Sequence, residues 1–405
     1  MQSFTRFLAL AAAAVPFLAQ AAPLTERASD AFPTIPGKWI ITLKPDVDVA
    51  TISSHHVKVR EIHARNIARR AVSEEETGGI EHLYGFGSFN GYSGSFDDAT
   101  VAELNAMDEV LAIEPDSIMT TFALVTQNSS TWGLGAISSK TTGATNYIYD
   151  STAGEGQFNY VVDTGIRTTH VEFGGRATWG FNAVNDIMAD NNGHGTHVSG
   201  TIGGTTYGVS KKTSLIAVKV FEGNNGTSST VIAGFDWAVN DIVTKGRQNT
   251  AVINMSLGGG GSTAWDAAVT AAWNSGVLAV VAAGNNEVLA STVSPARSPE
   301  VITVGNVEQN DARHVPSSYG PVVDIFAPGT GVLSAYRTSD SATASLTGTS
   351  MASPHVAGLV SYLRALEGPL SAADVKARVY ALATPGRVTG ARDSINLIAY
   401  NGNGR

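Results

Sequence analysis

Ala251-Val252-Ile253-Asn254-Met255, a helical run from Ala264 to Trp273, and Val277-Leu278-Ala279-Val280-Val281-Ala282 make one strand–helix–strand unit. Both strands are almost continuously apolar, the pattern of a parallel strand buried on two faces. The same rhythm extends outward. Before it, Tyr160-Val161-Val162 and Leu215 to Phe221 read as strands and Thr230 to Val243 as a helix. After it, Val301 to Val304 and Val323 to Phe326 read as strands, and Val356, Leu359, Val360, Leu363 and Leu366 recur at helical spacing. From Trp132 onward this alternation predicts an α/β domain, a parallel sheet covered by helices on both faces. No internal repeat or low-complexity tract interrupts it.

Ligands of such a sheet bind beyond the carboxyl ends of its strands, so polar residues that terminate strands are the candidates for chemistry. Asp163 ends Tyr160-Val161-Val162, and Asn285 follows Ala282-Ala283-Gly284. His194 lies in Asn192-Gly193-His194-Gly195-Thr196-His197, ahead of small and apolar residues that suit a buried helix. Ser350 lies in Gly348-Thr349-Ser350-Met351-Ala352-Ser353-Pro354-His355, at the mouth of the last long helical pattern. Unpaired backbone N–H groups at such a helix start can hold a developing oxyanion beside a nucleophilic hydroxyl.

Each of these residues also has a plainer reading. Ser350 can be an N-cap, Asp163 an Asx-turn residue and Asn285 a turn asparagine. His194 and His197 have a metal-ligand spacing, but no glutamate or cysteine accompanies them, which disfavours zinc. His197 and His355 read as packed structural histidines. Together, acid, histidine and serine in that chain order match the order of subtilisin on a parallel α/β frame; the order is a match and not a derivation. An esterase of the α/β-hydrolase type would run serine, acid, histidine, and Ala352 stands where its motif wants glycine.

Composition bounds the rest. The chain has 405 residues, 43% of them apolar and 15% charged, with 43 glycines and no cysteine. It can bury a large core, and it has no disulfide, zinc-thiolate or thiol chemistry. The formal charge is −9, and residues 22–122 carry most of it, with 8 Lys+Arg against 16 Asp+Glu. The near-neutral remainder has no basic stripe, which argues against nucleic acid as a partner. Arg6, the short apolar run Phe7 to Leu18 and Ala19-Gln20-Ala21 predict a secretory signal over 1–21, hence a secreted, extracellular protein. No later stretch is long and apolar enough to span a membrane. Residues 22–122 read as a small α+β domain of order βαββαβ, with Thr100 to Met107 a helix whose Glu103 takes the capping-box position.

With these motifs assembled, the chain resembles the subtilisin-like serine proteases of the proteinase K group, on the branch of the fungal secreted alkaline proteases (oryzin). The residues that carry the resemblance are Val162-Asp163-Thr164-Gly165, Gly193 to Gly200, Ala282-Ala283-Gly284-Asn285 and Gly348 to Ala352. It implies a Ser350–His194–Asp163 triad with Asn285 as oxyanion donor, no catalytic cofactor, and a peptidase domain over 123–405. A catalytically silent, peptide-binding relative is the alternative.

The resemblance also implies a substrate edge at Ser256-Leu257-Gly258-Gly259 facing Ala282-Ala283-Gly284. These small walls predict a wide, uncharged slot for large apolar or aromatic side chains. It implies one calcium site from Pro299, Val301 and Asp324. A second family site wants threonine where Lys140 stands, and none is expected there. Residues 22–122 would be an inhibitory propeptide lying across the site, removed by self-cleavage between Phe122 and Ala123. Asn128 and Asn225 open glycosylation sequons, and Asn254 opens one on a buried strand. A monomer acting on protein and peptide substrates is expected.

Overall fold

The computed structural model describes residues 34–70, 78–117 and 124–404. The expected signal over 1–21 and the Phe122–Ala123 junction lie outside the described residues. The chain divides into two compact units, Met1–Thr120 and Thr121–Arg405.

The first unit runs β1 (Thr34–Leu43), α1 (Val49–Arg70), β2 (Gly79–Phe86), β3 (Phe89–Ser95), α2 (Asp98–Asn105) and β4 (Val110–Ser117). Its antiparallel sheet has the order β2-β3-β1-β4. Ile41, Leu43, Val59, Tyr92, Phe96 and Leu104 form the core between sheet and helices. The expected capping box is corrected here. Asp97 is the N-cap of α2, its carboxylate accepting from Thr100 N at 2.5 Å. The cap therefore lies three residues before the expected one at Thr100, and Glu103 instead accepts from Asn66 Nδ2 at 3.0 Å and pairs with Arg65.

The second unit opens with β5 (Leu124–Gln127), α3 (Trp132–Ile137) and β6 (Tyr147–Asp150), the two strands pairing antiparallel. Then come β7 (Phe158–Asp163), β8 (Ala177–Asn182), α4 (His194–Gly203), β9 (Ser214–Lys219), α5 (Ser228–Thr244), β10 (Ala251–Met255) and the two-residue β11 (Gly259–Gly260). There follow α6 (Thr263–Asn274), β12 (Leu278–Ala282), the two-residue β13 (Val293–Ser294), β14 (Ile302–Val307) and β15 (Ile325–Pro328). Next is a hairpin of β16 (Val332–Ala335) and β17 (Thr343–Leu346), and the chain ends on α7 (Thr349–Glu367), α8 (Ala372–Leu382), β18 (Thr384–Pro385) and β19 (Leu397–Ile398).

Nine strands form one sheet of order β18-β19-β15-β14-β12-β10-β7-β9-β8, parallel throughout except at β18–β19. Alternation of side chains along each strand divides its apolar residues between two layers. Tyr160, Ile253 and Ala279 stand in register and pack with Phe235 and Ile242 of α5 and Val269 of α6. Val161, Val252 and Val280 pack on the other face with Val198 of α4 and Val356 and Val360 of α7. Residues 351–364 of α7 are all buried, as expected of a helix apolar or small on every side.

The chain enters this sheet at β7, steps to the β8 edge, returns through β9 and then crosses to β10. That change of direction places the ligand crevice at the carboxyl ends of β7 and β10. The sequence reading misses β8. It is an edge strand, mostly half-buried, and Gly180 breaks its apolar run.

Candidate active site

Asp163 is the last residue of β7 and is buried. Its carboxylate meets His194 Nδ1 at 2.8 Å (Oδ1) and 2.9 Å (Oδ2), and Oδ1 also accepts from Thr164 N at 2.7 Å. His194 is the first residue of α4. Its approach to β7 needs glycine at 195, because a Cβ there would lie 2.1 Å from the Gly165 carbonyl oxygen. Burial alone would push the imidazole down. The Asp163 carboxylate, by charge and by hydrogen bond, and the Asp190 charge hold it above its ordinary value of 6.5.

Asp190 is a residue that sequence reasoning missed. It is buried, and its Oδ1 accepts from Thr164 Oγ1 (2.9 Å), Asn192 N (3.1 Å) and Gly193 N (2.7 Å). Its Oδ2 accepts from Thr196 N (3.0 Å) and Thr196 Oγ1 (2.5 Å). One carboxylate thus ties the residue after Asp163 to the residues on either side of His194. The available signal was an aspartate three residues before the glycine that opens α4, the spacing of an Asx-type turn.

Ser350 is the second residue of α7. Its hydroxyl donates to the Ser256 carbonyl at 3.1 Å, and the Ser256 hydroxyl donates back to the Ser350 carbonyl at 2.8 Å. Ser350 and His194 line one cleft of about 400 Å³ together with Thr164, Asn192 and Ser256. The Ser350 hydroxyl therefore rests on a neighbouring carbonyl and not on His194 Nε2. Catalytic hydrogen bonds of this kind often tighten only around substrate.

Asn285 Oδ1 accepts from Thr349 N at 2.8 Å and from Thr349 Oγ1 at 2.9 Å. The Thr349 hydroxyl in turn accepts from Gly284 N at 3.2 Å. A backbone N–H can only donate, so the oxygen of the Asn285 amide is assigned and its Nδ2 faces away from Thr349. A second cavity of about 400 Å³ adjoins Ser350 and Asn285. Leu257, Gly258, Gly259, Ala282 and Gly284 line it, and no charged side chain does. Of the other expected wall residues, Ala283 turns into the core with Val307 and Phe326, and Ser256 lines the cleft beside Ser350 and His194 together with Leu257, Gly258 and Gly259. Gly259 and Gly260 pair with Ser294 and Val293 and are themselves exposed.

The subtilase family matches residues 154–395, and the peptidase inhibitor I9 family matches residues 38–122. The chain belongs to the subtilase family.

Subtilases named alkaline protease 1 from Aspergillus clavatus and Emericella nidulans are 50% and 49% identical to it, each over 99% of this chain, and cover 100% and 99% of their own length. An alkaline proteinase of Hapsidospora chrysogena is 50% identical over 98% of this chain and 99% of its own. The crystal structure of a cold adapted subtilisin-like serine proteinase superposes with a TM-score of 0.63 at 39% identity, over 68% of this chain and 99% of that one. This subtilase is accordingly a serine endopeptidase that carries an inhibitor-type domain ahead of its peptidase domain, the organisation of a zymogen.

Both remaining histidines near the site are packed in this subtilase. Burial pushes His197 down to about 4, and its Nε2 meets the carbonyls of Val332 (2.9 Å) and Ala344 (3.1 Å). Burial also takes His355 to about 4, with Nδ1 on the Met351 carbonyl at 2.9 Å. Neither is disposed as a metal ligand.

The expected calcium site does not fit the residues as they stand. Lys376 Nζ donates to the Pro299 carbonyl and to the Val301 carbonyl, each at 2.6 Å. The two backbone oxygens that a calcium ion would take are held by an ammonium group, and Asp324 Oδ2 accepts from Thr303 N at 2.9 Å. Lys140, at the expected second site, lies with its ammonium 5.3 Å from the Tyr400 ring centroid.

Proposed function

We propose that this subtilase is a secreted endopeptidase that cleaves through an acyl-enzyme on Ser350, with His194 as general base and acid and Asp163 as its orienter. The observation that carries this reading is the two-oxygen grip of Asp163 on His194 Nδ1, at 2.8 and 2.9 Å, on the cleft that Ser350 also lines. With Nδ1–H given to the carboxylate, Nε2 is the basic nitrogen and is free to take the Ser350 proton. The Ser350 oxygen attacks the scissile carbonyl, His194 passes the proton to the leaving amine, and water deacylates the enzyme through the same nitrogen.

Asn285 Nδ2 and the Ser350 N–H receive the charge that develops on the carbonyl oxygen. In subtilisin one such donor is worth roughly 10²–10³ in kcat, and that magnitude is adopted from there. An extended substrate adds as a strand along the exposed Gly258–Gly260 edge, and its cleaved residue fills the cavity between Leu257–Gly259 and Ala282–Gly284. That cavity has no charged wall, which favours large apolar or aromatic side chains with low stringency.

The 22–122 segment inhibits the enzyme in cis until cleavage between Phe122 and Ala123, where Phe122 suits the same slot. The signal over 1–21 directs secretion. Asn128 and Asn225 accept glycans, and both are exposed. Asn254 does not, since it is buried between Ser256 and Ser353. Among the described residues no helix is long and apolar enough to cross a membrane. The enzyme acts as a monomer on protein substrates and takes no nucleic acid.

Two measurements test the reading. Casein hydrolysis should vanish after treatment with a serine-directed phosphonyl reagent and in Ser350→Ala. The mass of purified Ser350→Ala should be that of the unprocessed chain; a mature-size product made without added protease would end the self-cleavage part.

A further inference from the structure

The Lys376 ammonium sits on the two carbonyls that the family resemblance would give to a metal. Lys376 projects from α8, while Pro299 and Val301 belong to the loop that leads into β14. The ammonium donates at 2.6 Å to both carbonyls, and the Trp273 and Tyr380 rings flank it with centroids at 5.6 and 6.0 Å. Asp324 completes the surroundings from the segment before β15, anchored to Thr303 N.

A calcium ion needs six to eight oxygens at about 2.3–2.6 Å. Here it would have to displace a cation tethered to the fold. The Asp324 and Glu300 carboxylates both act on this ammonium, and a divalent ion brought in beside it would meet its like charge.

A second place shows the same device. The Ser139 carbonyl, next to Lys140, accepts from Arg387 Nη1 at 3.0 Å, and the same guanidinium grips both Asp311 oxygens at 2.9–3.1 Å. The Arg387–Ser139 bond joins residues 248 apart in sequence, and both Arg387 and Asp311 are largely buried.

We propose that Lys376 replaces a structural calcium ion. Its side chain carries the positive charge that clamps α8, the 299–301 loop and Asp324 together, so the peptidase unit holds its fold without divalent metal. The family resemblance supplies the expectation of a calcium site; the ammonium on its two carbonyls supplies the replacement. The inference does not depend on the catalytic roles above.

The test uses the full chain with Ser350→Ala, which prevents self-digestion, and reads the thermal unfolding midpoint in EDTA and in millimolar calcium chloride. The parent midpoint should agree in the two buffers to within about 1 °C, whereas an ion bound at a hundred times its Kd would raise it by roughly 5 °C or more. Adding Lys376→Met should lower the midpoint in EDTA by several degrees, and calcium should recover part of that loss.

Three results would overturn the proposal. One is a calcium-dependent rise in the parent that disappears with Asp324→Asn. Another is a Lys376→Met chain as stable in EDTA as its parent. The third is a destabilised Lys376→Met chain that calcium does not help, which would leave Lys376 an ordinary tether. Should Lys376→Met fail to fold, the parent and its Asp324→Asn derivative decide the question.

Discussion

The backbone N–H of Thr349 donates to Asn285 Oδ1 at 2.8 Å, and this bond fixes which end of the Asn285 amide is left to donate. Nδ2 makes no hydrogen bond to protein among the described residues, and it lies 3.3 Å from where a Cβ on Gly348 would stand. In the proposed oxyanion role, Nδ2 would thus be held in place before any charge develops, with little reorganisation at the moment of reaction.

Asn285→Ala should lower kcat by roughly 10²–10³ with KM nearly unchanged, since the lost bond forms fully only in the transition state. Thr349→Val keeps the backbone N–H and removes only the hydroxyl bridge between Gly284 and Asn285, so its loss should be smaller, about tenfold. Steady-state kinetics on a chromogenic peptide separates the two; equal losses would contradict the assignment.

Asp163→Asn should retain the fold and lose about 10⁴ in kcat, because an amide beside His194 Nδ1 stabilises the wrong tautomer and cannot balance the imidazolium. Circular dichroism of the variant checks that the loss is chemical. A loss under about tenfold would remove Asp163 from its proposed role.

As the proposed general base His194 must be neutral, so kcat/KM should be full above its pKa and fall as pH drops through it. Asp163 and Asp190 hold that pKa above 6.5, and the acidic limb should therefore lie higher than for a free imidazole. Asp190→Asn removes one of the two negative charges and should move the limb to lower pH. An unmoved limb with reduced kcat would make Asp190 a purely geometric support. The same variant sets an amide donor against Thr196 N, at a stability cost of about 1–3 kcal/mol.

Gly195→Ala should destabilise the fold by about 1–3 kcal/mol, because its Cβ would stand 2.1 Å from the Gly165 oxygen and α4 must withdraw from β7. The same withdrawal separates His194 from Asp163, so kcat should fall further than stability alone accounts for. Thermal unfolding in the Ser350→Ala background and kinetics in the active chain measure the two effects separately.

The strands of the sheet were legible because a parallel strand buried on both faces leaves a local mark, an unbroken apolar run. Ala251–Met255 and Val277–Ala282 carry that mark, and the residues just beyond such runs, Asp163 and Asn285, became candidates through it. β8 left no such mark, being a half-buried edge strand. The cap of α2 was misplaced because Asp97 and Thr100 are both acceptable caps by type, and only the backbone path selects between them.

By itself the sequence determined the α/β class, the order of the strands and long helices that leave an apolar mark, and the residue types at the strand ends. These follow from periodicity and composition, which are local properties of the chain. The tertiary structure decided what those residues touch. That Asp190 joins Thr164 to Gly193, that Ala283 faces the core and not the cleft, and that Lys376 takes carbonyls 75 and 77 residues away all depend on how distant segments cross. A lysine on a helix face looks the same in sequence whether it meets water or two backbone oxygens. The difference lies in the packing of α8 against the loop before β14, which no local pattern records.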